Sequence, residues 1–212
     1  KAKFSLAEDG TLEGEVTMEY SGNPAIAYRR ENYDESAEKR ESDLKDEIKS
    51  RMSSAEVTNV SIEGVDDHSK ALVKRYKVRV PNYAQKTGKR LFIQPGFFEN
   101  GSKAVFSDSS RKYDIFFRYP WSEVDYIEFK LPPGFELDSA DAPAKVADPQ
   151  NIGSLEVQMS IDKSSNLLKY NRKFHFGNRS NTVFHARSYQ PLKNLFDEFH
   201  RADSHTITLR QN

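Results

Sequence analysis

Residues 11–20, TLEGEVTMEY, carry the pattern that decides the fold of the first half of the chain. One side of a two-residue alternation holds Leu12, Gly14, Val16, Met18 and Tyr20, and the other holds Glu13, Glu15, Thr17 and Glu19. A period of two is typical of a half-buried strand. Residues 3–6 precede it across the turn Glu8-Asp9-Gly10, so the two segments are predicted to pair as a β-hairpin.

Residues 71–80, ALVKRYKVRV, form a second alternating stretch, with a basic row of Arg75, Lys77 and Arg79 and an inward row that includes Tyr76, Val78 and Val80. We predict that this strand lies antiparallel beside residues 11–20, because the basic row would then face the glutamates of that strand. A slip of one residue would reverse both faces, so burial and charge specify the register together. The alternative is an open basic groove for an anionic ligand.

Helical signals lie between these strands. Asn23-Pro24 predicts a short helical turn through Tyr28. Residues 36–52 place Leu44, Ile48 and Met52 four residues apart on one stripe of a longer helix. With a further strand at residues 56–65, residues 1–97 are predicted to form a β-rich module with one long helix, in the order β-β-α-β-β.

Residues 99–110 are polar and have the composition of turns and linkers, and the chain beyond them is aromatic and rich in strand patterns. The alternating stretches are residues 113–119, 125–131, 155–161 and 168–176, followed by a short strand at 205–209. Leu192, Leu195, Phe196 and Phe199 have helical spacing behind Pro191. Residues 98–212 are therefore predicted to form an antiparallel β-sandwich-like module with a C-terminal helix. The predicted fold class is α+β, mostly β.

Composition excludes several classes of protein. The 212 residues include no cysteine, which excludes thiol nucleophiles, thiolate-ligated metals and disulfides. The 32 basic residues balance the 32 acidic ones, so the electrostatic footprint of a nucleic-acid-binding protein is missing. No apolar run reaches the ~20 residues of a membrane-spanning helix. The first residue is Lys1 rather than Met, which indicates a cut from a longer protein or, alternatively, a mature terminus after signal cleavage.

The polar residues do not assemble into an obvious catalytic or metal site. The five histidines lack the spacing of a helical zinc site, so no metal and no cofactor are expected. Ser204 and His205 are adjacent on a predicted strand and would point to opposite faces, which argues against a nucleophile–base pair. Glu123, Asp125 and Glu128 could suggest a glycosidase pair, but we interpret them as an outward polar face of their strand.

Aromatic residues between positions 113 and 126 form the one stretch that resembles a binding site. Carbohydrate-binding modules stack sugars on exposed tryptophan and tyrosine rings, so the predicted ligand-binding residues are Tyr119, Trp121 and Tyr126. Packing of these rings in the core is the competing interpretation.

Several segments, taken in order, resemble a known family. They are residues 83–98, YAQKTGKRLFIQPGFF, then 111–121, RKYDIFFRYPW, and then Leu131-Pro132-Pro133-Gly134-Phe135. Together they resemble the C-terminal region, a domain of unknown function, of bacterial proteins with a transglutaminase-like domain. Residues 9–14 with Gly22 and Arg29 look like the start of that region, and Tyr189, Leu192 and Phe196 look like its closing helix.

The resemblance implies a function for the chain. In such proteins the catalytic cysteine, histidine and aspartate lie upstream, so this chain is expected to be a non-catalytic accessory or scaffold module of an exported, periplasmic or cell-surface protein. Its expected partner is the upstream catalytic domain or a cell-envelope protein. A carbohydrate-binding module is the alternative function, and a self-contained hydrolase is the weakest one.

Overall fold

The computed structural model describes residues 1–139, 141–178 and 182–211 of the chain. Strands make up 41% of the described residues and helices 23%, so the predicted α+β, mostly β class is confirmed. The strands are β1 (Ala2–Leu6), β2 (Leu12–Tyr20), β3 (Glu56–Glu63), β4 (Leu72–Val80), β5 (Gln85–Thr87), β6 (Arg90–Ile93), β7 (Ile115–Phe116), β8 (Trp121–Lys130), β9 (Phe135–Ser139), β10 (Val146–Ala147), β11 (Gly153–Asp162), β12 (Leu167–Phe176), β13 (Val183–Phe184) and β14 (Ile207–Gln211). The helices are α1 (Gly22–Asn32), α2 (Ala37–Arg51) and α3 (Tyr189–Asp203), with 3-10 helices at Phe97–Glu99 and Ala186–Ser188.

One large sheet organises the described part of the chain. Its eight strands have the order β10-β11-β12-β8-β1-β2-β4-β3. All neighbouring pairs are antiparallel except β1 and β8, which run parallel. The sheet therefore continues across residues 97 and 98, where the sequence analysis divides the chain. The division into two modules stays a prediction about independent folding.

The predicted pairing of β2 with β4 is confirmed. Glu13 lies opposite Arg79 and Glu15 opposite Lys77, and their charged atoms are 2.7 and 3.1 Å apart. One expected partner is wrong, because the register sets Thr17, and not Glu19, opposite Arg75. Arg75 instead binds Glu63 of the neighbouring strand β3 at 2.6 Å. The basic row thus has acidic partners, and the groove beside it is lined by glutamates as well as by Lys77 and Arg79.

The opposite face of the large sheet is buried. Leu44 and Ile48 of α2 share its core with Val16 and Tyr76. A second sheet, with the order β5-β6-β14-β9, adds Leu91, Ile93, Ile207 and Leu209 to the same core. Helix α3 completes the cover, as predicted, with Leu192, Phe196 and Phe199 buried. None of the helices in the described residues has the length and apolar character needed to cross a lipid bilayer.

Three local predictions are corrected. Helix α1 begins after Ser21 and extends to Asn32, so the first half contains two helices where a single turn through Tyr28 was expected beside the long one. The strand predicted at residues 113–119 is confined to Ile115–Phe116. Phe106, within the predicted linker, is buried and packs edge-on against Phe196 at 5.3 Å. The linker is thus fixed to α3 by an aromatic contact.

Candidate functional site

Charged side chains converge where β8, β12, the end of α3 and the 3-10 helix Phe97–Glu99 meet. Arg172 occupies an inward position of β12, between Tyr170 and Phe174. Asp203 is the last residue of α3 and lies on the buried side of that helix with Phe196 and Phe199. The regular packing of a strand and a helix therefore brings an arginine and an aspartate together inside the protein.

Arg172 is surrounded by four carboxylates, and its side chain is only 3% exposed. Its Nε and Nη2 donate to the two oxygens of Asp203 at 2.6 and 2.9 Å. Its Nη1 donates to Glu123 at 2.8 Å and lies 3.5 Å from Asp125. Glu99 is the most distant carboxylate, at 3.9 Å from Nη2. We call Arg172, Glu99, Glu123, Asp125 and Asp203 the Arg172 cluster.

The cluster contains four carboxylates and one guanidinium. Burial, together with this excess of negative charge, raises the pKa values of carboxyl groups in the cluster. Burial raises the pKa of Glu99 to about 7, against the attraction of Arg172 and with repulsion from the other carboxylates. Burial raises the pKa of Asp125 to about 6, with the same opposition from Arg172. An arginine stays protonated in proteins. The cluster therefore takes up a proton, in addition to its one fixed cation, as the pH falls through and below neutral.

A half-open cavity of about 150 Å³ borders the cluster. Aromatic rings of Trp121, Phe174, Phe196 and Phe199 form much of its wall, next to the carboxylates of Glu99 and Glu123. The guanidinium of Arg172 already donates from Nε, Nη1 and Nη2 to carboxylates, so it has little capacity left for an anionic ligand. The described residues contain no group of histidines and carboxylates suited to a metal ion.

The structure places two of the three predicted ligand-binding aromatics on opposite faces of the sheet. Trp121 lines the cavity, where its Nε1 donates to Glu123 at 3.1 Å and its ring lies 5.1 Å from that of Phe176. Tyr126 is five residues further along β8 and points to the opposite, open face of the sheet, with 47% of its surface exposed. Tyr119 is half-buried before the start of β8. Trp121 and Tyr126 therefore do not share one surface, and the role of the three residues in ligand binding stays a prediction.

The interpretation of Glu123 and Asp125 as outward residues is wrong. In the two-residue alternation of β8 they lie on the same face as the buried Ile127 and Phe129. The same signal identifies Arg172, which alternates with Tyr170 and Phe174. Asp203 likewise continues the helical spacing of the buried positions in α3. Charged residues at inward positions of separate elements therefore predict a buried polar cluster, although their partners are distant in sequence.

A second feature is an apolar surface on the small sheet formed by β7 and β13. Phe116 and Val183 lie directly opposite each other in this pair and are 67% and 57% exposed. The other side of the pair is anchored, since Ile115 is buried and the ring of Phe184 packs 5.8 Å from that of Phe117. We call Phe116 and Val183 the ribbon surface.

Comparison with known proteins places both features within one family region. A family model, described as "Domain of Unknown Function with solved-structure structure (DUF3858)", matches residues 89–209, which is more than half of the chain. Comparisons with curated proteins and with solved structures found no match. The expected domain of unknown function is confirmed, and its link to transglutaminase-like proteins stays a prediction.

Proposed function

Since the chain belongs to the DUF3858 family, whose description gives no activity, we propose from its surfaces that it is a non-catalytic accessory module that binds a protein partner. The ribbon surface is the observation that carries this proposal. Two large apolar side chains lie exposed side by side on a pair of strands whose opposite face is anchored in the core. Contiguous exposed apolar side chains commonly mark contact sites for proteins.

The surroundings of the ribbon surface fit a protein contact. Tyr113, three residues before Phe116, is 83% exposed. Nearby charged groups are largely solvent-accessible, with Arg118 4.0 Å from Glu31 and His185 3.0 Å from Asp114. An apolar centre with a polar, accessible rim is the usual anatomy of a protein interface.

The proposed partner follows from the sequence resemblance. We infer that the module packs against an upstream transglutaminase-like domain of the same bacterial, exported polypeptide, or against a cell-envelope protein. In this role the chain itself performs no chemistry, and we expect the purified chain to incorporate no amine into a glutamine-containing peptide. Turnover that a substitution within this chain abolishes would contradict the proposal.

Hydrogen–deuterium exchange tests the contact directly. Exchange is measured around Phe116 and Val183 in the chain alone and in the longer polypeptide that the proposal implies. We expect slower exchange at both positions in the longer polypeptide. The double variant Phe116→Asp/Val183→Asp should lose this protection, because each charge would be buried at the interface. The matched control is Ile26→Asp, at an exposed apolar position on α1, which should keep it. Equal exchange in both polypeptides would exclude the upstream domain as the partner.

A carbohydrate-binding function has one specific observation in its favour. Tyr126, Asn171 and Gln158 lie in register across β8, β12 and β11 on the open face of the sheet. A tyrosine ring beside two carboxamides can combine stacking with hydrogen bonds to hydroxyl groups. Calorimetric titration with soluble oligosaccharides tests this second candidate. Binding that Tyr126→Ala abolishes and Tyr113→Ala leaves intact would favour it over the protein-binding module.

A further inference from the structure

Glu99 is the least constrained carboxylate of the Arg172 cluster. Asp203 accepts from Nε and Nη2 of Arg172, and Glu123 accepts from Nη1. Glu99 lies 3.9 Å from Nη2, beyond hydrogen-bond distance. It therefore gains only long-range attraction from the guanidinium and experiences repulsion from three other carboxylates.

The groups that face Glu99 and its neighbours come from every element around the cavity. They are Glu123 and Asp125 on β8, Tyr170 and Arg172 on β12, His200 and Asp203 on α3, Lys103 in the segment after the 3-10 helix, and the α-amino group of Lys1 beside Asp125. Negative charge prevails among them when all the carboxylates are ionised. Burial among like charges favours the neutral form of a carboxyl group.

One wall of the cavity is built from irregular backbone. Ser102, Lys103 and Val105 line this wall after Glu99, the last residue of the 3-10 helix, and residues 100–114 contain no helix or strand. The segment is anchored on both sides of residues 102–105. Arg51 donates to the carbonyl oxygen of Phe98 at 2.7 Å, and Phe106 is buried among aromatic rings. Residues 102–105 lie between these anchors. Ser102 N–H donates to the carbonyl oxygen of Glu99 at 3.0 Å, and Lys103, Ala104 and Val105 are exposed, which is typical of segments that open locally at low cost.

We propose that Glu99 is a proton-binding group that controls closure of this cavity. The protonated side chain stays beside Arg172, and residues 102–105 cover Trp121 and the neighbouring rings. When Glu99 loses its proton, repulsion from Glu123, Asp125 and Asp203 moves it toward Lys103 and solvent. The cavity then opens and its aromatic wall becomes accessible. This device is independent of the ribbon surface.

Trp121 provides the measurement, because it is the only tryptophan in the sequence and belongs to the opposite wall. Quenching of its fluorescence by acrylamide is measured between about pH 5 and pH 9, a range that spans the titration of a perturbed carboxyl group. We expect the quenching constant to rise in one step with a midpoint near 7, the pKa of Glu99. The variant Glu99→Gln should remain at the low-pH value throughout.

Three controls make the result specific. Glu128→Gln, on the outward face of β8, should keep the step. His200 also lines the cavity, so His200→Gln should keep it as well. Asp125→Asn removes a neighbouring negative charge and should move the midpoint to lower pH, which provides a test if Glu99→Gln does not fold. A flat profile in the unmodified chain, a step that persists in Glu99→Gln, a step lost in His200→Gln or Glu128→Gln, or an unchanged midpoint in Asp125→Asn would overturn the proposal.

Discussion

The guanidinium of Arg172 and the carboxylate of Asp203 are both buried, and each oxygen of Asp203 accepts one of its hydrogen bonds. A pair of this kind has a particular energetic signature. Desolvation of the two charges offsets much of their attraction, whereas loss of one partner leaves the other as an uncompensated buried charge. The Arg172 cluster should therefore tolerate removal of the pair far better than removal of the arginine alone.

We expect Arg172→Leu to lower the free energy of unfolding by about 3–5 kcal/mol, because Asp203 would remain buried without a counter-ion. The double variant Arg172→Leu/Asp203→Leu should recover part of this loss, because it removes the carboxylate that accepts two hydrogen bonds from Arg172 while Glu123 and Asp125 still lack the cation. Urea denaturation measures both values. Arg79→Leu, which breaks an exposed ion pair, is the matched control and should cost about 0–1 kcal/mol. If Arg172→Leu and Arg79→Leu lowered the free energy of unfolding by similar amounts, the result would contradict a buried role for Arg172.

Glu99 should also give the stability a distinct pH dependence. Its pKa is about 7 in the folded chain and 4.5 in an unperturbed glutamate, so between these values the folded state binds a proton that the unfolded state has released. The free energy of unfolding should therefore fall as pH rises through this window and level off above it. Asp125, with a pKa raised to about 6, contributes in the same direction. Glu99→Gln should flatten the slope, and denaturation series at several pH values measure it.

Strands β2 and β4 show what ion pairs contribute at the level of an element. Arg79 lies between Glu13 and Glu56, at 2.7 and 3.3 Å, on the exposed face of the sheet. A double-mutant cycle with Glu13→Ala and Arg79→Ala should give a coupling energy of about 0.2–1 kcal/mol. The coupling should decrease at high salt, because exposed charges are screened. Values above about 2 kcal/mol would require a desolvated pair, which the exposure of these side chains does not support.

Helix α3 depends on its aromatic face. The ring of Phe196 lies 4.7 Å from that of Phe176 and 5.7 Å from that of Phe199. Phe196→Ala should lower the free energy of unfolding by about 3–5 kcal/mol, because it leaves a cavity among these rings. Asn194→Ala, on the exposed side of the same helix, is the control and should change stability by less than about 0.5 kcal/mol. A loss below about 1 kcal/mol for Phe196→Ala would mean that the helix is only loosely attached.

Features that depend on residues close together in the sequence were predictable, and features that depend on distant residues were not. Alternation of adjacent residues predicted β2 and β4, and helical spacing predicted α2 and α3, because burial of one face acts within each element. The pairing of β2 with β4 was also predictable, since complementary charges reinforce it. The Arg172 cluster was missed because Glu99, Asp125, Arg172 and Asp203 are separated by tens of residues. Only the packing of β8 and β12 against α3 and the 3-10 helix brings them together.

At the scale of the whole molecule, one core joins the two halves of the chain. Phe4 and Phe97 from the first half pack with Phe129 and Phe135 from the second. Hydrogen bonds also cross the division, including that from Gln94 to the carbonyl oxygen of Asp203 at 2.8 Å. These contacts couple the stability of residues 1–97 to that of residues 98–212.

We therefore expect the chain to unfold in a single transition. Denaturation followed by fluorescence of Trp121 and by far-ultraviolet circular dichroism should give coincident curves, because the tryptophan reports on one half and the dichroism on both. Fragments 1–97 and 98–212 provide the complementary test, since each should show less cooperative unfolding than the whole chain. Two separate transitions in the intact chain would instead support independent modules.

The parallel contact between β1 and β8 has a consequence for the order of events during synthesis. Strands β1 to β4 leave the ribosome before β8 and can assemble, but the backbone groups of β1 that will pair with β8 then remain without partners until residues 121–130 have been made. An unpaired edge strand is a template for association with other chains. β1 and β8 are far apart in sequence, so they pair late. Late pairing of distant strands leaves the chain exposed to aggregation. The nascent chain is therefore most prone to aggregation after β1 to β4 have been made and before β8 has paired with β1. A chaperone that shields β1 would act in that period.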